Sequence, residues 1–294
     1  MPLDAHQRLF VTGATGQLGQ LVIAVLLRSV PASQIVAGVR DAGSEAAQGL
    51  HARGIETRVA DYAQPASLAA AFAGIDRLLL ISSSEVGQRG AHHQNVITAA
   101  KQAGVKLIAY TSFLHADTSI MKLAVEHKLT EIALQASGVP FTLLRNGYYS
   151  ENWAPSIPAA LAHGVVLGCA GEGRIAAASR ADYAEAAAAV LASADDQGGR
   201  IYELVGDEAF TLSQLATAIS EAAGKPVAYR NMTQNEYQTA LVGFGVPEQF
   251  SALLADTEIC AANGALFDES RQLSTLIGRP TTPMPVTIAD LVKG

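Results

Sequence analysis

The sequence has few charged, aromatic and sulphur-bearing side chains for its length. Of its 294 residues, 16% are charged, 6% are aromatic and two are cysteines. Cys169 and Cys260 form no Cys-x-x-Cys pair or zinc-type cluster, so we expect buried thiols in a reducing compartment and no metal. No apolar run approaches the roughly 20 residues that span a bilayer. The polar start lacks the apolar core of a signal peptide, so a cytoplasmic protein is expected.

The charge balance and the apolar content narrow the class of partner. The formal net charge is −7, which disfavours binding to phosphate backbones, so no nucleic-acid partner is expected. The hydrophobic fraction of 49% is largely alanine, as in the run 186–189. Small side chains suit helices packed on a buried sheet. Because alanine serves a core or an interface equally well, a homo-oligomer is left open.

Short β-branched runs alternate with longer alanine-rich stretches through the first half of the chain. Apolar strands separated by helices are typical of a parallel sheet covered on both faces. We therefore predict an α/β fold with a Rossmann-type doubly wound parallel sheet. The predicted strands are Arg8–Thr12, Ile35–Val39, Glu56–Ala60, Leu78–Ile81, Lys106–Tyr110 and Phe141–Arg145.

The regular alternation ends after Arg145. We predict a first domain over residues 1–150 and a smaller, mostly helical portion over residues 151–294. The second portion is expected to return one strand, Ile201–Val205, and one helix to the main sheet. Thr211 is the predicted cap of a helix that starts at Leu212. The predicted helices of this portion are 212–222, 233–242 and 247–262.

A glycine-rich turn is the strongest local motif. Gly13, Gly16 and Gly19 lie between the first strand and the first helix. Such a turn lets the backbone approach a pyrophosphate, which the helix N-terminus then binds. A tight turn without a ligand is the alternative. The context favours a dinucleotide site, whose predicted contacts are Gly13, Ala14, Thr15, Gly16, Gln17 and Leu18.

Three further strand ends supply candidate cofactor contacts. Arg40 follows the second strand and suits a 2′-phosphate, which favours NADPH over NADH, although Asp41 one position later is typical of NADH binding. Asp61 follows the third strand and fits either the adenine amino group or an ordinary turn. Ser82, Ser83 and Ser84 follow the fourth strand and are predicted to line the nicotinamide-side ribose.

Four segments carry a resemblance to a known family. They read VTGATGQLG, ISSSEVGQR, YTSFLHADTS and LLRNGYYSENW. The chain resembles the NmrA-like branch of the atypical short-chain dehydrogenase/reductase superfamily from Leu9 to about Leu291. Within it, the likeness is greatest to bacterial type 2 NAD(P)H:quinone oxidoreductases, with triphenylmethane reductases as near relatives. The glycine motif is common to the superfamily, whereas the other three segments are more specific.

The resemblance also exposes a difference. Superfamily members that act on alcohols use a Tyr-x-x-x-Lys proton relay. Alignment on Glu131 puts Leu123 at the tyrosine position and His127 at the lysine position, while Ser112 keeps a hydroxyl. His127 is a candidate catalytic donor or ribose contact, and a helix-surface pair with Glu131 is the alternative. The other histidines of this region, His92, His93 and His115, are expected to be solvated and without a role.

The segment after the sixth strand is the predicted acceptor side. It combines flat aromatic faces, which suit a quinone and a nicotinamide ring, with amides that orient them. The resemblance implies cofactor contacts at Asn146, Gly147, Tyr148 and Tyr149. It implies that contacts continue as far as Asn152, and the aromatic pattern adds Trp153. The predicted substrate contacts are Tyr148, Tyr149, Asn152 and Trp153, with Asn152 as an orienting catalytic residue. Anchoring of the helical portion is the alternative role of these aromatics.

These observations predict an NADPH-dependent reductase that transfers hydride to quinones without the usual relay. A quinone needs little acid help, because its reduced anion is already stabilised and ring proximity does most of the work. Two alternatives remain open. One is an NmrA-like redox sensor that binds NADP without turnover, and the other is a reductase of conjugated acceptors such as triphenylmethane dyes.

Overall fold

The computed structural model describes residues 6–293 and contains a seven-stranded sheet. The order of strands across this sheet is β3-β2-β1-β4-β5-β6-β8, and a separate two-stranded sheet pairs β7 with β9. The strands are β1 Leu9–Val11, β2 Ile35–Val39, β3 Glu56–Val59, β4 Arg77–Leu80, β5 Leu107–Phe113, β6 Phe141–Asn146, β7 Val165–Gly168, β8 Ile201–Leu204 and β9 Ala228–Asn231.

Helices fill most of the connections between these strands. In the first part of the chain they are α1 Gln17–Leu26, α2 Glu45–Ala52, α3 Pro65–Ala71, α4 Arg89–Gln102 and α5 Lys122–Ser137. The later ones are α6 Ile157–His163, α7 Arg180–Leu191, α8 Leu212–Ala223, α9 Gln234–Gly243, α10 Glu248–Ala262, α11 Gln272–Ile277 and α12 Met284–Lys293. Short 3-10 helices cover Ala32–Gln34 and Ser150–Ser156.

The strand order confirms the predicted doubly wound sheet. Strand β1 pairs in parallel with both β2 and β4, so that Val11 lies opposite Ala37 on one side and Leu79 on the other. The chain therefore winds outward to β3 and then returns to the other side of β1. In such sheets a ligand binds outside the carboxyl ends of the strands where the winding reverses.

Buried apolar side chains explain why these runs form strands and helices. Every residue of β1, β2 and β5 is buried, as expected for strands covered on both faces. The rings of Phe10 and Phe72 meet edge to face, with centroids 5.0 Å apart. Most of the alanine run in α7 is also buried, so small side chains there serve close packing.

Contacts divide the chain into two compact units. Unit 1 comprises residues 1–113, 126–145 and 183–202, and unit 2 comprises residues 114–125, 146–182 and 203–294. The boundary after residue 150 stays a prediction. Unit 2 is mostly helical and contains the β7–β9 sheet, which the sequence analysis did not predict. Thr211 caps α8 as predicted, because its side chain accepts the backbone N–H of Gln214 at 3.3 Å.

Candidate functional site

The glycine-rich turn of unit 1 has a backbone path that other residues would obstruct. Gly13 has a φ of +56°, which disfavours side chains. A Cβ atom at Gly19 would lie 2.3 Å from the Gly13 carbonyl oxygen and 2.8 Å from the Ala14 Cα atom. Helix α1 can therefore approach the end of β1 only because residue 19 is glycine.

The N-terminus of α1 has the features of a phosphate site. Gly16, at the cap position, supplies no side-chain hydrogen bond, and the first turn carries no acidic residue. Gly16, Gln17 and Gly13 are exposed, whereas Ala14 and Leu18 are buried. The first N–H groups of a helix and its partial positive charge bind anions. The glycine path and this helix end together fit the pyrophosphate of a dinucleotide.

Two buried threonines connect the strand ends that surround the turn. The Thr12 hydroxyl donates to the Leu79 carbonyl oxygen at 3.0 Å and accepts the Ile81 N–H at 2.9 Å. Ser82 donates its N–H to the Thr111 hydroxyl at 2.8 Å. The carboxyl ends of β1, β4 and β5 are thus held together, and a Cβ atom at Gly13 would lie 3.8 Å from that of Ile81, the residue before Ser82. Sequence reasoning missed both threonines.

Arg40 and Asp61 lie at the ends of β2 and β3. The Arg40 side chain is 77% exposed, and its Nη1 atom is 3.3 Å from Oε1 of Glu85. A 2′-phosphate at Arg40 would therefore compete with Glu85. Asp61 accepts the Ala63 N–H at 2.9 Å, which is the turn-forming role. An adenine contact by Asp61 stays a prediction.

His127 lies in the interior of unit 1 and makes no pair with Glu131. Its ring is 5% exposed, with Nδ1 2.8 Å from the Tyr110 hydroxyl and Nε2 3.5 Å from Nη1 of Arg89. Arginine only donates hydrogen bonds, so Nε2 of His127 accepts and Nδ1 carries the proton. The helix-surface alternative for His127 is therefore wrong.

His93 was expected to be solvated, and this expectation is wrong as well. The side chain is fully buried, because α4 packs against the sheet along the face that contains it. Its Nε2 atom accepts the Ser83 N–H at 3.0 Å, so Nδ1 holds the proton and donates to the Thr130 hydroxyl at 2.9 Å. Tyr110 also bonds to Thr130. His127, Tyr110, Thr130 and His93 form one chain of hydrogen bonds, which we call the histidine chain.

The histidine chain contains neutral rings. Burial, and then the positive charge of Arg89, lower the pKa of both His93 and His127 to about 3. A neutral, hydrogen-bonded imidazole at neutral pH has no acidic proton of the imidazolium kind to transfer. The structure therefore favours a positioning role for His127, and its place in catalysis stays a prediction.

The two remaining histidines of the region, His92 and His115, also have partners. His115 adopts a φ of 50°. Its Nε2 atom is 3.1 Å from Oδ2 of Asp268, and both residues belong to unit 2. His92 has its Nδ1 atom 3.8 Å from Oε2 of Glu85, and its side chain is 12% exposed. Neither is the freely solvated side chain that was expected.

Glu131 and Arg145 form a buried ion pair, with Arg145 Nη2 and Glu131 Oε2 2.7 Å apart. The Ser112 hydroxyl donates to Glu131 Oε1 at 2.5 Å. The hydroxyl that occupies the conventional relay position is therefore bonded to this pair.

The predicted acceptor segment forms an aromatic cluster in unit 2. The rings of Tyr148 and Trp153 have centroids 5.0 Å apart, and Phe210 lies 5.4 Å from Trp153. The Tyr148 hydroxyl forms a hydrogen bond with Asn152, which is an exposed residue. Tyr148 and Trp153 are half-buried. This cluster offers flat apolar surface beside one amide, and its contact with a planar acceptor stays a prediction.

Asn146 and Tyr149 form the second part of the segment. Asn146 donates an amide N–H to the Tyr149 hydroxyl at 3.2 Å, and the guanidinium of Arg180 lies 5.1 Å from the Tyr149 ring centre. The Oδ1 atom of Asn146 is buried without a hydrogen-bond partner in the structure. Such an atom is unusual and suits a donor from a bound molecule. Gly147 is fixed by its N–H, which donates to the Leu204 carbonyl oxygen at 2.8 Å.

Three properties of the described residues bear on other functions. No group of three or more His, Cys, Asp or Glu residues among positions 6–293 could hold a metal ion. Within the same span, no helix has the length and apolarity needed to cross a membrane. Cys169 and Cys260 are buried free thiols, as predicted.

The fold and the glycine turn define a dinucleotide-binding protein of the Rossmann type. The chain belongs to the NmrA-like family, whose model matches residues 5–276. It is 54% identical to quinone oxidoreductase 2 of Escherichia coli over 281 residues, which cover 96% of this chain and 97% of that protein.

Solved structures show the same similarity. The chain resembles the E. coli NADPH-dependent quinone oxidoreductase complexed with NADPH, at a TM-score of 0.93 and 54% identity, over 96% of this chain and 99% of that one. It also resembles the Citrobacter sp. triphenylmethane reductase complexed with NADP(H), at a TM-score of 0.91 and 39% identity, over 96% and 99% of the two chains.

Proposed function

We propose that the protein is an NADPH-dependent oxidoreductase that transfers hydride to quinones. The observation that carries this proposal is the 54% identity to an E. coli quinone oxidoreductase over nearly the whole of both chains. The glycine turn with its uncapped, acid-free helix end supports the cofactor assignment. A cytoplasmic location is part of the proposal and agrees with two buried free thiols.

Each part of the candidate site has a role in this function. The turn from Gly13 to Leu18 binds the pyrophosphate, and Arg40 binds the 2′-phosphate after it leaves Glu85. Ser82 to Ser84 line the ribose, and the unpartnered Asn146 Oδ1 accepts a hydrogen bond from the nicotinamide amide. Tyr148, Tyr149 and Trp153 provide aromatic surface for the quinone, which Asn152 orients. NADPH supplies the hydride when it is bound.

The proposal is tested by mixing the purified protein with NADPH and benzoquinone. We expect the near-ultraviolet absorbance of NADPH to fall faster than in a protein-free blank, and a rate no faster than the blank would overturn the proposal. Binding of NADPH without turnover of any quinone would indicate a redox sensor instead.

The similarity to a triphenylmethane reductase supports dyes as second acceptors. If a dye and a quinone share the aromatic cluster, each should inhibit reduction of the other competitively. Simultaneous reduction at undiminished rates would exclude a shared site.

A further inference from the structure

Unit 2 contains a carboxyl group that the proposed function does not use. Glu258 extends from α10 to the end of β7, where its Oε2 atom accepts the backbone N–H of Cys169. Its carboxyl also hydrogen-bonds with the Tyr237 hydroxyl of α9. A Cβ atom at Gly168 would lie 2.6 Å from Glu258 Oε2. Residue 168 must therefore be glycine for the carboxyl to occupy this position.

The titratable groups that face Glu258 come from four separate elements. They are Cys169 after β7, Tyr148 before the second 3-10 helix, Tyr229 in β9 and Tyr237 in α9. Burial raises the pKa of Cys169, Tyr148 and Tyr229 to about 12, and it raises the pKa of Tyr237 above its usual range. All four groups therefore stay neutral across the physiological range.

Glu258 behaves differently from these neighbours. Burial raises the pKa of its carboxyl to about 7, although hydrogen bonds from Cys169, Tyr237 and the Ala170 amide favour the charged form. Desolvation disfavours a carboxylate, so the protonated acid is populated at neutral pH. A carboxyl with a pKa near the working pH is well suited to exchange a proton during catalysis.

Neighbouring side chains connect Glu258 with the predicted acceptor contacts. Tyr148 lies close enough to Tyr237 to raise the pKa of its hydroxyl, and Tyr148 itself faces Glu258 and bonds to Asn152. We propose that Glu258 stores the proton that completes quinone reduction, and that the Tyr237 hydroxyl passes this proton on. This inference rests on the proposed function.

The proton transfer balances as follows. A quinone that gains a hydride, with its two electrons, becomes a hydroquinone anion. The Tyr237 O–H bond breaks as its proton moves to the oxygen of the anion, and the Glu258 proton moves to the phenol oxygen. The products are a neutral hydroquinone, an intact tyrosine and a carboxylate. Water from the solvent then restores the proton of Glu258.

The test is Glu258→Gln, which keeps the shape and the hydrogen-bonding atoms but has no acidic proton. We measure kcat for a series of substituted benzoquinones whose hydroquinone anions range from strongly to weakly basic. The expected loss is about 10²-fold for the most basic anion and shrinks toward none for the least basic. The wild-type kcat should fall as pH rises through about 7, because the acid form is lost, and the variant should lack this fall.

Two further variants complete the experiment. Tyr237→Phe should show the same gradation across the quinones, and it also serves if Glu258→Gln does not fold. Glu248→Gln, at an exposed position of the same helix, should leave every rate unchanged. The NADPH dissociation constant of each variant reports whether unit 1 is intact.

The contrary outcomes separate this inference from the proposed function. An equal loss on every quinone, with the wild-type pH profile retained, would mean that Glu258 only anchors the backbone at Cys169. That result would overturn the proton-store role and leave the reductase assignment standing. A wild-type protein that reduces no quinone would overturn the proposed function itself.

Discussion

Each unit contains a buried polar cluster, and burial shifts the pKa of the titratable groups in the two clusters in opposite directions. In unit 1 the histidine chain contains bases, and burial lowers the pKa of His93 and His127 to about 3. In unit 2 the cluster around Glu258 contains an acid, and burial raises its pKa to about 7.

The same physical effect underlies both shifts. Desolvation favours the neutral form of any group, but a neutral imidazole has lost its acidic proton whereas a neutral carboxyl has kept it. The histidine chain is therefore suited to holding strand ends in place, and the Glu258 cluster is suited to supplying a proton. A missing Tyr-x-x-x-Lys relay thus need not leave the protein without an acid.

The glycine turn of unit 1 is the proposed pyrophosphate site, and Gly19→Ala should have the largest effect of all the variants. A Cβ atom 2.3 Å from the Gly13 carbonyl oxygen must displace the turn or the helix. We expect NADPH affinity to fall by more than about 100-fold, since the helix end can no longer reach the pyrophosphate. Fluorescence titration with NADPH measures this loss.

Gly49→Ala is the matched control, because a Cβ atom there meets nothing within 4 Å. It should leave binding unchanged and stabilise α2 slightly. Retained NADPH binding in Gly19→Ala would refute the role assigned to the turn.

Arg40→Glu should have the next largest effect and sharpen the choice of cofactor. A guanidinium on a phosphate contributes about 1.5–3 kcal/mol, so we expect NADPH to bind about 10- to 100-fold more weakly. NADH lacks the 2′-phosphate and should be much less affected. Arg53→Glu makes the same change in net charge at another exposed position of unit 1 and controls for it. Equal losses for both cofactors would contradict the 2′-phosphate assignment.

Tyr110→Phe tests the structural role of the histidine chain. The substitution leaves the buried N–H of His127 without an acceptor, which should cost about 1–3 kcal/mol in the free energy of unfolding. Urea denaturation measures this change. Tyr202→Phe removes a half-buried hydroxyl that bonds to Gln197 and should cost less. Equal stabilities of the two variants would argue against a structural role for the chain.

His127→Gln should have the smallest effect on pH dependence, and it sharpens the contrast with Glu258. Because His127 is already neutral, its removal should leave the shape of the kcat profile unchanged between about pH 5 and 8. The absolute rate is expected to change only modestly. Loss of a limb of the profile in this variant would show that His127 titrates during catalysis.

Local patterns predicted much of unit 1. The predicted bounds of Ile35–Val39 are those of β2, and the glycine spacing predicted the turn at Gly13. These features depend on residues within a few positions of one another. Helix α1 ends at Leu26, although apolar residues continue to Val30, since the hydrophobic pattern does not mark where a helix ends.

Features that depend on distant residues were not predictable in this way. Strand β9 reads Ala-Tyr-Arg-Asn and is largely exposed, so only its pairing with β7 makes it a strand. Glu258 has partners directly after β7 and in α9, and no local spacing relates them. His93 lies in a polar stretch whose buried face the sequence pattern does not reveal.

The ion pair between Arg40 and Glu85 bears on the proposed binding of the 2′-phosphate. An exposed pair of this kind is worth about 0–1 kcal/mol, so roughly half or more of the molecules hold it closed. The apparent affinity for a ligand is lowered in proportion to the open fraction, here by at most a few-fold. If Arg40 binds the 2′-phosphate as proposed, Glu85 and the phosphate compete for the same guanidinium.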